Sequence, residues 1–209
     1  MDFRTNALSA PARMAARGIA LLALVSLGAQ ALATAADHPA YGPLDTAWHM
    51  LRYFTVLTAG LGLLSFAGMA ATGRAAHRLW LGGLALWSGM TGAIYHLLLA
   101  RDDLAGLGLW ADRGLHTALP VAVVLWWLVF ARKDRLRPWA ALAWLSWPGI
   151  YIGYALARGR ADGTYPYFFL DPGQVRWDGV AVWSGMIGLA FLGGGLILLL
   201  LARMLRRGV

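Results

Sequence analysis

The chain is predicted to be an all-α membrane protein, a bundle of six transmembrane helices with both termini on the cytoplasmic side. Three observations predict it. Hydrophobic residues make up 59% of the 209 residues and charged ones only 13%, against roughly 25% charged in a soluble domain. Six apolar stretches have about the 20 residues that a helix needs to cross a hydrocarbon core of roughly 30 Å. The basic residues between them fall on alternate connections, and such residues accumulate in cytoplasmic loops.

The first stretch, Gly18–Ala36, follows Arg17 and runs into small residues, so it also fits a signal peptide. Its run of nineteen residues exceeds the usual signal-peptide core of roughly 7–15, which favours a retained span. The next four, Ala47–Ala71, Leu79–Ala100, Gly114–Ala131 and Trp139–Ala157, are joined by short connections, so consecutive helices are expected to be antiparallel neighbours. The sixth is Val180–Ala202. Before it lies the longest connection, Arg158–Asp178, whose aromatic, proline-punctuated centre suits a cap over the bundle mouth. Residues 1–209 then form one integral membrane domain.

The charge count orients it. One side carries Arg4, Arg13, Arg17, Arg74, Arg78, Arg132, Lys133, Arg135, Arg137, Arg203, Arg206 and Arg207, with only Asp2 and Asp134 as acids. The other side carries six arginines and eight of the ten acidic residues. That asymmetry puts both termini in the cytoplasm, in what is expected to be a bacterial inner membrane. The net charge of +8 is accounted for by topology and anionic lipid, so no nucleic-acid partner is expected. With no cysteine, disulfides, thiolate metal sites and a cysteine nucleophile are excluded.

Tryptophans near span ends, such as Trp48, Trp80, Trp110, Trp139 and Trp177, read as interfacial anchors. Glycine-rich small-xxx-small patterns such as Ser88…Gly92 read as close helix contacts. WSGMTG (Trp87–Gly92) echoes WSGMIG (Trp183–Gly188), a hint of an inverted repeat as in transporters.

Polar groups inside spans are costly and therefore functional candidates. His49, Arg52 and Thr55 fall in the outer half of the second span, Tyr95 and His96 near the end of the third, and Asp112 and His116 where the fourth begins. A histidine can serve as general base for a hydroxyl. At about 1.5 Å rise per residue, Thr55 and His116 lie at depths about 7 Å apart, within boundary error and tilt. Thr58, one turn deeper, fits less well. Thr55 alone also reads as a helix–helix hydrogen bond, and His116 alone as a satisfied bundle histidine. Asp112, four residues before His116, shares its helix face and reads either as a carboxylate orienting the imidazole or as an N-cap. Arg52 either snorkels to headgroups or holds a carboxylate or oxyanion.

RYFTVLT (Arg52–Thr58), IYHLLLA (Ile94–Ala100), LHTALP (Leu115–Pro120) and YPYFFLD (Tyr165–Asp171) resemble the bacterial six-span branch of the androgen-induced-gene protein superfamily, which includes the androgen-dependent TFPI-regulating protein. The resemblance covers spans two to six. Animal members are intramembrane threonine hydrolases of fatty acid esters of hydroxy fatty acids. By local motif the resemblance implies Thr55 as nucleophile and His116 as base, and the Tyr165, Pro166, Tyr167 and Asp171 segment as a lid. Ala59 stands where bacterial relatives often have asparagine, which leaves a shift of register to Thr58 open.

The expected function is therefore hydrolysis of a lipid-like ester within the outer leaflet, with membrane lipids as surroundings, no cofactor and no metal. Two other classes stay open: a haem- or metal-binding redox protein using His49, His96 and His116, and a small transporter or binding bundle.

Overall fold

The computed structural model describes residues 6–134 and 136–205. Asp2, Arg4, Arg135, Arg206 and Arg207, which entered the charge count, lie outside the described residues. The chain folds as nine α-helices with two π-turns and one 3₁₀ turn among the described residues. Five continuous helical segments are long and apolar enough to cross a membrane: Ala10–Asp37, Phe54–Thr72, Gly106–Phe130, Ala140–Asp162 and Pro172–Met204.

Local chemistry sets the boundaries. Helix α1 (Ala10–Asp37) starts under Ser9, whose hydroxyl accepts the Ala12 N–H, with Pro11 in the first turn. Pro43 opens the short α2 (Pro43–Met50). The chain breaks at residues 51–53 and restarts as α3 (Phe54–Thr72), which ends on Gly73 at φ 68°, a conformation glycine adopts without penalty. The predicted second span, Ala47–Ala71, is thus two helices. Helix α4 (Arg78–Ile94) continues into a π-turn at Tyr95–Leu99. Helix α5 (Gly106–Arg113), a second π-turn (Gly114–Ala118) and α6 (Leu119–Phe130) run as one segment, eight residues longer at its start than predicted. Lys133 closes its far end by donating to the carbonyls of Trp127, Leu128 and Ala131, a cation on a helix C-terminus.

Helix α7 (Ala140–Trp144) leads into α8 (Ser146–Asp162), and α9 (Pro172–Met204) begins under Asp171. The predicted cap Arg158–Asp178 therefore shrinks to the residues between Asp162 and Pro172. Its outer portions are helix, and Arg176, at φ 59°, kinks the first turns of α9.

Helix α1 packs along α3, α5 and α6, while α9 packs on α4, α7 and the 3₁₀ turn. Small residues permit close approach: a Cβ on Gly82 would overlap the Trp144 ring, one on Gly83 the Trp87 ring, and one on Gly194 would meet Leu86. Four tryptophans, Trp87, Trp126, Trp127 and Trp144, are buried in the core. They correct the reading of tryptophan as anchor alone: Trp87 donates to the Trp144 carbonyl, Trp144 to Leu79 and Trp126 to Ala12. Trp48, Trp80, Trp110, Trp139 and Trp177 are exposed, as an interfacial belt requires.

Candidate active site

The break before α3 is held by α8. Tyr151 donates to the Arg52 carbonyl at 2.9 Å, Tyr154 to the Leu51 carbonyl at 3.1 Å, and Arg158 to the Trp48 carbonyl at 2.6 Å. This leaves Thr55 in the first turn of α3, not deep within a longer helix. First-turn amides have no intrahelical acceptor. The Phe54 N–H is taken by the Tyr167 hydroxyl at 3.1 Å. Those of Thr55 and Val56 have no partner among the described residues.

His116 sits in the second π-turn, where the Leu119 N–H reaches back to the Gly114 carbonyl. Pro120 follows in α6 and has no N–H to offer the His116 carbonyl, which loosens the helix there. The Thr55 Oγ1 lies 3.3 Å from His116 Nε2. On the ring's far side, Nδ1 lies 2.9 Å from Asp112 Oδ1. A carboxylate can only accept, so Nδ1 carries the hydrogen and Nε2 presents its lone pair to the Thr55 hydroxyl. Tyr95 stacks flat on the imidazole, with centroids 3.8 Å apart and planes 11° apart, fixing the ring plane. Gly92 backs this arrangement: a Cβ there would meet the His116 carbonyl at 2.9 Å.

Thr55, His116, Asp112 and Tyr95 open on a cavity of about 580 Å³, within the range of small-molecule sites. Pro166 and Tyr167 from the cap line it as well. Burial pushes the Tyr167 phenol up to about 12, so it stays a neutral O–H group.

Other sequence candidates are placed elsewhere. Arg52 is buried but turned from the cavity, with its guanidinium paired twice with Asp162, at 3.0 and 2.9 Å, and bonded to the Thr164 carbonyl. It neither snorkels nor serves an oxyanion, because Asp162 from α8 neutralises it. Thr58 accepts the Trp147 indole N–H at 3.0 Å and does not line the cavity, whereas Thr55 does. His96 points outward and bonds Thr117 at 3.0 Å. Asp171 caps α9 by accepting the Gly173 N–H at 2.8 Å, and Tyr165 packs on Gly159. Neither side chain lines the cavity: Asp171 is held at the turn into α9 and Tyr165 at the end of α8. His49 joins His38, with ring centroids 5.1 Å apart, so His49, His96 and His116 have separate partners, and no cluster of three metal-ligating side chains occurs among the described residues. The two WSGM copies differ in role: Trp87 is core, whereas Trp183 packs against Phe168 and Phe169 of the cap.

No family model, curated protein or solved structure matches this chain. Its chemistry is read from the site alone. Sequence reasoning missed the wall that α1 contributes to the cavity, Gln30, Thr34, Asp37 and His38. The signal was present: Ser26, Gln30 and Thr34 are the polar side chains within Gly18–Ala36, each four residues from the next.

Proposed function

We propose that the chain is an intramembrane ester hydrolase with Thr55 as nucleophile, His116 as base and Asp112 as the carboxylate that orients it. The observation that carries this reading is the unbroken line Asp112–His116–Thr55, at 2.9 and 3.3 Å, opening on one cavity. Thr55 Oγ1 attacks the acyl carbonyl while its proton passes to His116 Nε2. The carbon–oxygen bond to the alcohol breaks, and His116 hands that proton to the departing oxygen. Water, deprotonated by the same nitrogen, then attacks the acyl-threonine; the bond from the acyl carbon to Thr55 Oγ1 breaks, His116 returns the proton to Oγ1, and the acid leaves. The unclaimed Thr55 and Val56 N–H groups, at the positive end of α3, are the donors for the carbonyl oxygen as it gains charge. Tyr167 is a further neutral donor beside it.

In this reading α4 with its π-turn, residues 78–99, is the sixth span. Both termini face the cytoplasm and the cavity opens toward the outer leaflet of a bacterial inner membrane. The positive-inside distribution of arginine supports that orientation. The placement of Thr55 and His116 also supports kinship with the six-span androgen-induced-gene superfamily.

The test is covalent labelling of the purified protein with a fluorophosphonate. Labelling is expected on Thr55, and is lost in Thr55→Ala and His116→Ala while both variants keep the wild-type melting curve. Labelling that persists in a folded Thr55→Ala protein removes Thr55 from the mechanism.

A further inference from the structure

The cavity has two unlike walls. One comes from α1 and α2 and is polar, with Gln30, Thr34, Asp37, His38 and His49. The other comes from α8, α9 and the cap and is apolar, with Ile152, Phe169, Leu170, Ile187 and Phe191. Helix α1 packs on α3, α5 and the second π-turn, and α9 packs on α4, α7 and the cap. Thr55 and His116, on α3 and that π-turn, therefore sit between the two walls.

The polar wall is costly. Ser26, Gln30, Thr34 and Asp37, spaced four, four and three residues apart, mark one face of an otherwise apolar helix, and a polar stripe in a span needs polar company. Ser26 closes on Gly114, beside His116. Further along the helix, Gln30 Nε2 donates to Thr34 Oγ1 at 3.2 Å, which leaves the Gln30 amide oxygen without a protein partner among the described residues. Charge narrows the ligand further. Arg101 lines the cavity but is paired twice with Asp103, at 3.0 and 2.8 Å, and Arg52 lies outside it. Burial is the chief cause that lowers the pKa of His49 and disfavours its cationic form. An anionic alcohol would meet Asp37 and Asp112, and the one arginine that lines the cavity among the described residues already faces Asp103.

Resting on the hydrolase reading, we infer that the substrate is a single-chain acyl ester of a small uncharged polyol, of the monoacylglycerol type. The acyl chain lies along the α8–α9 wall. The polyol hydroxyls bond to Gln30, Thr34 and Asp37 on α1.

Three esters of one acyl chain separate the possibilities in detergent-solubilised full-length protein: the glyceryl ester, the methyl ester and the ester of a hydroxy fatty acid, whose alcohol part carries a carboxylate. The glyceryl ester is expected to exceed each of the others about 10-fold in kcat/KM, the worth of one or two hydrogen bonds. In Gln30→Leu/Thr34→Val the glyceryl-to-methyl ratio is expected to fall toward 1. Equal turnover of the three, faster turnover of the carboxylate-bearing ester, or an unchanged ratio in a folded double variant overturns the polyol assignment and leaves the hydrolase standing. Failure to cleave any ester, with no fluorophosphonate labelling, overturns both.

Discussion

Replacing Asp112 by Asn removes a charge and keeps the side chain's shape, so it isolates what the carboxylate does. The Asp112 and His116 side chains are 16 and 17% exposed and 2.9 Å apart. When His116 takes the Thr55 proton it becomes a cation, and two unit charges about 4 Å apart attract by about 4 kcal/mol at an effective dielectric of 20. Partial exposure reduces this to about 3 kcal/mol. At 1.36 kcal/mol per factor of ten, that is about 100-fold in rate. The amide can also turn its NH₂ toward Nδ1, which moves the ring hydrogen to Nε2 and removes the lone pair Thr55 needs, deepening the loss. Asp112→Asn is expected to lower kcat by about 100- to 1,000-fold and to change KM by less than about 2-fold, because the charge acts on the transition state and not on the bound ester. Steady-state hydrolysis of a glyceryl monoester in micelles measures both, with thermal melting of the same preparations as the control for folding. A kcat within about 3-fold of wild type, in a folded variant, would show that Asp112 merely caps its helix and that His116 acts unaided.

Thr58→Val strands the Trp147 indole N–H and is expected to cost about 1–3 kcal/mol of stability while kcat stays within about 3-fold; melting and turnover measured together distinguish it from Thr55→Val, which loses turnover. Gly114→Ala drives a Cβ into Ser26 Oγ and is expected to cost about 1–3 kcal/mol, with most of the loss recovered in Ser26→Gly/Gly114→Ala by the same melting assay. Burial first, then His38, Arg52 and Arg158, hold His49 below its ordinary 6.5. The unfolded chain therefore binds the proton more readily, and His49's contribution to stability is complete above pH 6.5 and lost as pH falls through the depressed folded value. Melting temperatures compared between about pH 7.5 and about pH 5.5 should drop less for His49→Gln than for wild type.

Five of the six apolar stretches overlap helices long and apolar enough to cross a membrane, legible because a bilayer imposes a length and a composition on any helix that crosses it. The third, Leu79–Ala100, is not among them, since α4 gives way to the π-turn after Ile94. Thr55, Asp112 and His116 were legible because an ionisable or hydroxyl side chain in such a segment is expensive and stands out. What could not be read was which polar group spends its bonds elsewhere. Arg52 looked available until Asp162, 110 residues away, was seen to neutralise it. Thr58 has the Trp147 indole within reach, whereas Thr55 has His116. The division of Ala47–Ala71 at residues 51–53 was hidden because Tyr151 and Tyr154, on a different helix, pay with their hydroxyls for the carbonyls that the break exposes. The polar stripe of α1 was visible as a spacing but was submerged in a reading of that segment as leader or anchor.

The site is made where the helices are irregular. An α-helix turns about 100° per residue, so one extra residue in a π-turn rotates everything beyond it by about that angle. Asp112 and His116 can then face the cavity while Val123, Trp126 and Trp127, on the same continuous segment, face the core. The π-turn at Tyr95–Leu99 does the same for the third element, laying Tyr95 on the imidazole while Trp87 stays packed on Trp144. The break before α3 exposes a helix N-terminus beside its own threonine hydroxyl. A helix uninterrupted at this point would bond the Thr55 and Val56 amides internally and leave neither to receive a developing negative charge. Each interruption leaves backbone groups without partners inside the membrane, a cost of several kcal/mol per group unless something satisfies them. Here Tyr151, Tyr154 and Tyr167 satisfy three of them. The Thr55 and Val56 amides have no partner among the described residues, at the point where the proposed chemistry needs donors.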